Sequence, residues 1–220
     1  MHDYQKSFLD LALRYEVLRF GRFTLKSGRV SPYFFNLGRI GSGAGLRELG
    51  RAYAGAILAH DLDFDLLFGP AYKGIPLAAA TAIALADPAL PGGARDLPYA
   101  YNRKEAKDHG EGGRLVGAEV AGRRVLIVDD VLTAGTALRE SHALLRAAGA
   151  VPIAAIIALD RQEVGPDGRA ATAELSEQLG ISVIPLVTVR DLLEYLTKRG
   201  GMAGTVAAIQ DYQKRYGVPA

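Results

Sequence analysis

The 220 residues suit one domain with an elaboration, or two small lobes, and 49% hydrophobic beside 23% charged residues describes a globular chain able to bury a sizeable core. A net charge of +2 supplies no global attraction to nucleic acid or membrane, so neither is expected as a partner. The absence of cysteine excludes disulfides, thiolate nucleophiles and cysteine-based zinc sites, and agrees with a reducing compartment, the cytoplasm.

Asp3, Lys6 and Asp10 interrupt the apolar residues at the N-terminus, which is not the pattern of a signal peptide. Phe8, Leu11, Ala12, Tyr15 and Leu18 share one side of a helix expected over Asp3 to Leu18. Two β-like runs around a Gly-containing turn then predict a hairpin across Phe20 to Asn36. Lys26 and Arg29 stand beside a dense aromatic run there, which suits either a planar anionic ring or the packing of a small lobe. Leu46 to His60 reads as a helix and Asp65 to Gly69 as a short strand. The tight loop Pro70 to Gly74 offers Lys73 to a phosphate oxygen or to solvent. The Ala-rich helix from Ile75 to Ala86 is the most apolar stretch, far below the ~20 residues of a membrane span. Asp87 to Asp96 is a surface connection and Leu97 to Tyr101 a short strand. Asn102 to Gly113 is charged and glycine-rich without an apolar period, so it reads as an exposed mobile loop, either solvated or a lid closing over polyphosphate. Leu115 to Gly122 is expected to form a hairpin feeding the next strand.

Val125-Leu-Ile-Val128 is the pattern of a strand buried on both faces, and Asp129 and Asp130 follow at its carboxyl end, where open α/β sheets bind ligands. Thr133-Ala-Gly-Thr136 makes a polar turn. Leu138, Ser141, Leu145 and Ala148 then repeat at helical spacing up to Gly149. A turn that opens a helix presents unpaired N–H groups to a phosphate. Neighbouring strand carboxylates point to opposite faces, so Asp129 and Asp130 are not a proton-sharing dyad. At least one faces the ligand, accepting from a diol or lying near a divalent cation. Phosphate with acids close by describes a ribose 5-phosphate; the plain alternative is a strand, a turn and a Thr-capped helix. Pro152 to Leu159 is another buried strand. It ends at Arg161, whose guanidinium suits a carboxylate, a ring carbonyl or an internal salt bridge. A polar turn over Val164 to Arg169, a helix over Ala171 to Leu179, a strand over Val183 to Val187 and helices over Arg190 to Lys198 and Thr205 to Tyr216 complete the chain. The alternation predicts an α/β fold with a parallel sheet flanked by helices. It forms one domain, with a core of about residues 45–180 and a small hood from 1–40 and 180–220.

The segment Val125 to Thr136 resembles the PRPP-binding motif of type I phosphoribosyltransferases. Phe23-Thr-Leu-Lys-Ser-Gly-Arg29, Ser31-Pro-Tyr-Phe-Phe-Asn36 and the loop Asn102 to Gly113 resemble the orotate phosphoribosyltransferase family, and four motifs in order span nearly the whole chain. The resemblance implies transfer of the 5-phosphoribosyl group from PRPP to N1 of orotate, giving orotidine 5′-monophosphate and pyrophosphate in pyrimidine biosynthesis. It also assigns residues. Lys26, Tyr72, Lys73, Arg103, Lys104, Lys107 and His109 would hold PRPP, with an often strained peptide before Tyr72. Val131, Leu132, Thr133, Ala134, Gly135, Thr136 and Ala137 would cradle the 5-phosphate. Phe34, Phe35, Thr133 and Arg161 would bind orotate. Lys107, His109, Asp129 and Asp130 would form the catalytic group, with His109 a candidate proton donor to pyrophosphate and Mg2+ held mainly by PRPP near the two acids. Loop 103–113 would be shared across a homodimer, and the length leaves no room for a fused decarboxylase. A purine or uracil phosphoribosyltransferase and a PRPP-sensing regulator that binds nucleic acid are the rival readings, and the role of Val164 to Arg169 stays open.

Overall fold

The computed structural model describes residues 1–25, 27–107, 113–132, 135–165 and 168–218, the side chains of Ala106 and Lys107 excepted. The first helix, α1 (Asp3–Arg14), buries Phe8, Leu9, Leu11 and Ala12, and a capping box pairs His2 with Gln5. It stops four residues short of the expected Leu18. Glu16 takes a positive φ of 53° and Leu18 instead opens a strand, β1 (Leu18–Thr24). There Leu18 pairs with Phe35 of β2 (Val30–Phe35), so a cross-strand partner outweighs helical period. The expected hairpin is present, antiparallel, with a register shift between Phe20 and Phe23.

Ser42 starts α2 (Gly43–Ala59) by accepting the Gly45 amide at 3.1 Å. Then come β3 (Leu66–Gly69), α3 (Gly74–Leu85), β4 (Tyr99–Lys107), β5 (Gly113–Gly117), β6 (Arg124–Val131), α4 (Thr136–Ala147), β7 (Val151–Asp160), α5 (Ala171–Leu179), β8 (Ser182–Thr188), α6 (Val189–Arg199) and α7 (Ala203–Tyr216). Six strands form one sheet in the order β5-β4-β3-β6-β7-β8. All pairings are parallel except the edge pair β4-β5. The fold is the mixed α/β arrangement expected, with β6 central.

Val125 to Val128 are each 0% exposed, and their side chains alternate between two cores. Leu126 and Val128 join Leu67, Ile156 and Leu186 under α1, α2, α3 and α6. Val125 and Ile127 join Leu66, Phe68 and Ala155 under α4 and α5, whose Leu138, Leu145 and Leu175 close that side. Covering both faces is what turns a continuous apolar run into a strand.

Two expectations need correction. Leu115 to Gly122 does not fold on itself: Leu115, Val116 and Gly117 pair with Asn102, Tyr101 and Ala100 of β4. Nor does an irregular loop begin at Asn102, because β4 runs on through Lys107, which pairs with Gly113 across a register shift. Main-chain pairing on an exposed ribbon carries no apolar period, so composition read it as loop. Asp108 to Gly112 lie outside the described residues.

The β1-β2 ribbon stands apart from the main sheet and packs against α7, where Tyr33 meets Tyr212 edge-on with centroids 6.5 Å apart. The segment after β7 is stitched to the chain's end: Val164 N donates to Tyr216 O and Val218 N to Gln162 O, both at 2.8 Å.

Candidate active site

The ends of β3, β6 and β7 deliver the expected groups to one edge of the sheet. At β6, Asp130 N donates to Asp129 Oδ1 at 2.8 Å. The buried Tyr53 on α2 donates its hydroxyl to the Asp129 carbonyl at 2.7 Å. Burial foremost, and then the Asp130 charge, push the Asp129 carboxyl up to about 6, while the Asp130 amide and Lys73 pull the other way. Asp130 has a different partner, accepting from Lys73 Nζ at 2.6 Å. The two acids are thus held separately, one folded back on its own chain and the other turned to a cation.

Beyond them Val131 and Leu132 are half-buried, and Gly135 precedes α4 with φ of 70°. The positive φ favours glycine there, and an added Cβ would also press on Arg139 Nη1 at 3.0 Å and Leu175 Cδ2 at 3.1 Å. Gly135 has no side chain to cap the helix, and among the described residues no side chain caps it, so the first-turn amides at Thr136 and Ala137 can face an anion. Thr133 and Ala134 lie outside the described residues.

Lys73 is set by a very tight turn, since a Cβ on Gly69 would fall 2.1 Å from the Gly74 carbonyl oxygen. The Ala71–Tyr72 peptide is cis, at the position where the resemblance places an unusual bond. Ala71 N donates to Asn102 Oδ1 at 2.9 Å, which fastens this loop to the root of the β4-β5 ribbon. Lys104 Nζ sits 4.9 Å above the Tyr72 ring. Tyr72, Tyr101, Asn102, Arg103 and Lys104 line a cleft of about 350 Å3. Four expected donor-binding residues, Tyr72, Lys73, Arg103 and Lys104, are therefore drawn towards one another by β3 and β4. Lys107 lies on β4 with its side chain undescribed, while Lys26 and His109 lie outside the described residues.

The expected base-binding residues are arranged less uniformly. Phe34 packs on Phe23 with centroids 5.5 Å apart, and the Arg19 guanidinium lies 5.7 Å from its ring. Phe35, its strand neighbour, faces the other way, towards Phe8 at 6.3 Å. Arg161 follows β7 and makes the internal salt bridge left open above: Nε donates to Glu163 Oε1 at 2.7 Å, Nη2 donates to Ser31 Oγ at 3.0 Å, and the guanidinium covers the Tyr33 ring at 4.4 Å. The buried Tyr33 hydroxyl has no hydrogen-bond partner among the described residues, and burial pushes this phenol well up. Tyr53, Asn102 and Glu163 were missed as site residues. The first two act on backbone atoms 76 and 31 residues away, which leaves no local sequence pattern.

Among the described residues no cluster of three or more His, Asp or Glu is placed to hold a metal ion. Two acids beside a turn that opens a helix have the oxygen donors to fit a hard cation that takes most of its ligands from a polyphosphate.

Residues 41–181 match the family model described as phosphoribosyl transferase domain. A protein from Cellvibrio japonicus named orotate phosphoribosyltransferase is 55% identical over 218 residues, 99% of each chain. The crystal structure of the Francisella tularensis orotate phosphoribosyltransferase superposes with a TM-score of 0.83 at 41% identity, covering 96% of this chain and 98% of that one. The Mycobacterium tuberculosis orotate phosphoribosyltransferase, solved in complex with PRPP, gives a TM-score of 0.61 at 25% identity over 86% of this chain and 98% of that one.

Proposed function

The chain belongs to the orotate phosphoribosyltransferase family, and from that premise we propose how its own residues divide the reaction. It is a pentosyl-transferring enzyme that moves the 5-phosphoribosyl group of PRPP to orotate, yielding orotidine 5′-monophosphate and pyrophosphate in pyrimidine biosynthesis. The observation that carries the division of roles is the carboxyl end of β6, where two separately held acids precede the open N-terminus of α4.

In this reading the first-turn amides of α4 and the turn Val131 to Ala137 take the 5-phosphate. Asp129 and Asp130 face the ribose. The Lys73–Asp130 pair, at 2.6 Å, keeps the Lys73 ammonium beside the acids and ready for pyrophosphate oxygens. Arg103 and Lys104, with Lys26, Lys107 and His109, add positive charge where the leaving group gathers negative charge. Displacement at the anomeric carbon develops oxocarbenium character, so positioning and electrostatics carry the rate and no covalent nucleophile is needed. Mg2+, when bound, would neutralise part of the pyrophosphate charge, near Asp129 and Asp130 and held mainly by the donor's own oxygens. His109 is a candidate proton donor to pyrophosphate. Arg161, with Phe34, Phe35 and Thr133, is read as receiving orotate, its guanidinium meeting the carboxylate or a ring carbonyl.

The proposed homodimer, in which loop 103–113 would be shared, draws its support from the face of α3. This helix carries no charged residue, and its Ile83 is 73% exposed, with Tyr72 at 66% and Tyr99 at 38% nearby in the chain and sheet. A helix that is apolar all round calls for cover on every side, and a second copy is the cover proposed. A cytoplasmic location is supported by the lack of cysteine, and among the described residues no helix is long and apolar enough to cross a membrane.

The test is consumption of orotate, followed by its ultraviolet absorbance, with and without PRPP and Mg2+. Orotate is expected to disappear only with PRPP present, as pyrophosphate appears in equal amount. Turnover of hypoxanthine, adenine or uracil in place of orotate, or PRPP binding without turnover of any base, would contradict the assignment.

A further inference from the structure

We propose that Glu163 is the positioning residue that aims Arg161 at the base, an inference that rests on reading Arg161 as the orotate-binding cation. Three donors converge on this one carboxylate. Arg161 Nε donates to Oε1 at 2.7 Å, the Tyr212 hydroxyl donates to Oε1 at 3.0 Å, and Arg29 Nη1 donates to Oε2 at 3.1 Å. They come from the end of β7, from α7 and from the residue just before β2, so the carboxylate ties the small ribbon and the last helix to the main sheet. Its side chain is only 16% exposed, and that of Arg161 14%, which keeps solvent from loosening the pair.

The geometry leaves Arg161 useful rather than spent. A guanidinium has five N–H donors; the bonds to Glu163 and Ser31 take Nε and one hydrogen of Nη2, and the Tyr212 hydroxyl accepts a further one. These contacts leave two of the five N–H groups for the base. Gln213 Nε2 donates to the Arg161 carbonyl at 3.0 Å, so α7 also holds the backbone in place. Two arginines share the Glu163 carboxylate, while Asp160, which also acts on Tyr33, is engaged by the Gln162 amide and Thr172. The Arg161 guanidinium, only part-neutralised by its shared partner, matches a ring bearing a carboxylate better than a neutral base of the same shape.

Steady-state kinetics on the full chain decide the matter, with orotate and PRPP varied separately. Glu163→Ala is expected to raise KM for orotate by about 10-fold or more, the scale of one lost charge-assisted hydrogen bond, with KM for PRPP nearly unchanged. Glu163→Gln keeps an oxygen for Nε without the charge. It is expected to give a smaller rise with the same selectivity, and it serves as the sole reading if the alanine variant does not fold. An unchanged KM for orotate in the folded variants, or equal rises for both substrates, would overturn the proposal. Arg161→Ala separates the two failures: if that variant binds orotate normally, the base reading itself is wrong, whereas a loss there without a loss at Glu163 removes only the positioning role.

Discussion

The Asp129 carboxyl lies under the end of β6 with its neighbour's amide as partner and the Asp130 charge beside it, and it titrates near 6 instead of the ordinary 3.8. The folded chain therefore holds this proton over a window in which the unfolded chain has lost it, so this group's contribution to stability falls as pH rises from about 4 to about 6. Once both states are ionised, at neutral pH, the buried charge has lowered stability by about 3 kcal/mol relative to the protonated form. Asp129→Asn keeps the oxygen that accepts the Asp130 amide and removes the charge. Without PRPP and Mg2+, this variant should unfold at higher denaturant concentration than wild type at pH 7, and the gain should vanish near pH 4. Its turnover should fall by about 10²-fold, the scale of losing one charge aligned with a transition state. A variant that is no more stable at pH 7 would place the carboxyl in a wetter setting than the structure gives it. Tyr53 is the other residue on which this end of β6 depends, because its hydroxyl is bound to the Asp129 carbonyl from α2.

Among the elements, those defined by burial and the hairpin marked by its glycine turn were legible in the sequence, while the bounds of α1 and the β4-β5 pairing were not. Four apolar residues at 125–128 announced a strand covered on both faces, and both cores close over it. Leu18 suited the helical period of α1 equally well, and only its partner Phe35, 17 residues on, decides for the strand. The ribbon from Asn102 to Lys107 looked like loop because its side chains are charged, while its pairing with β5 is a main-chain property. Phe34 and Phe35 were read together, yet the pleat separates them. The apolar all-round character of α3 was visible as an Ala-rich stretch, but which of its residues lack cover was not. Ile83→Glu tests what covers them. Wild type should sediment at twice 23.4 kDa and the variant at 23.4 kDa on dilution. A wild type that sediments as a monomer, or a variant that stays dimeric, would place the partner elsewhere.

Across the whole molecule, chain ends far apart in sequence meet where β7 stops. The ribbon at 18–35 and α7 at 203–216 pack together, and Tyr212, Arg29 and Arg161 join at Glu163. In the proposed reading the donor side is built from β3, β4 and β6 and the base side from β7 and this ribbon, so the carboxyl end of one sheet would carry both halves of the reaction. The proposed donor half has a local pattern to read, two acids and a glycine turn before a helix, because phosphate chemistry favours such a motif. The proposed base half offers only single residues to a sequence reading, since Arg29, Arg161 and Tyr212 meet at Glu163 from three distant segments. The most direct measurement is a crystal structure of this chain with PRPP and Mg2+. The account predicts the 5-phosphate at the N-terminus of α4, within hydrogen-bond reach of the Thr136 and Ala137 amides, with the ribose over Asp129 and Asp130. Density for PRPP at any other place, with that turn left empty, would contradict it.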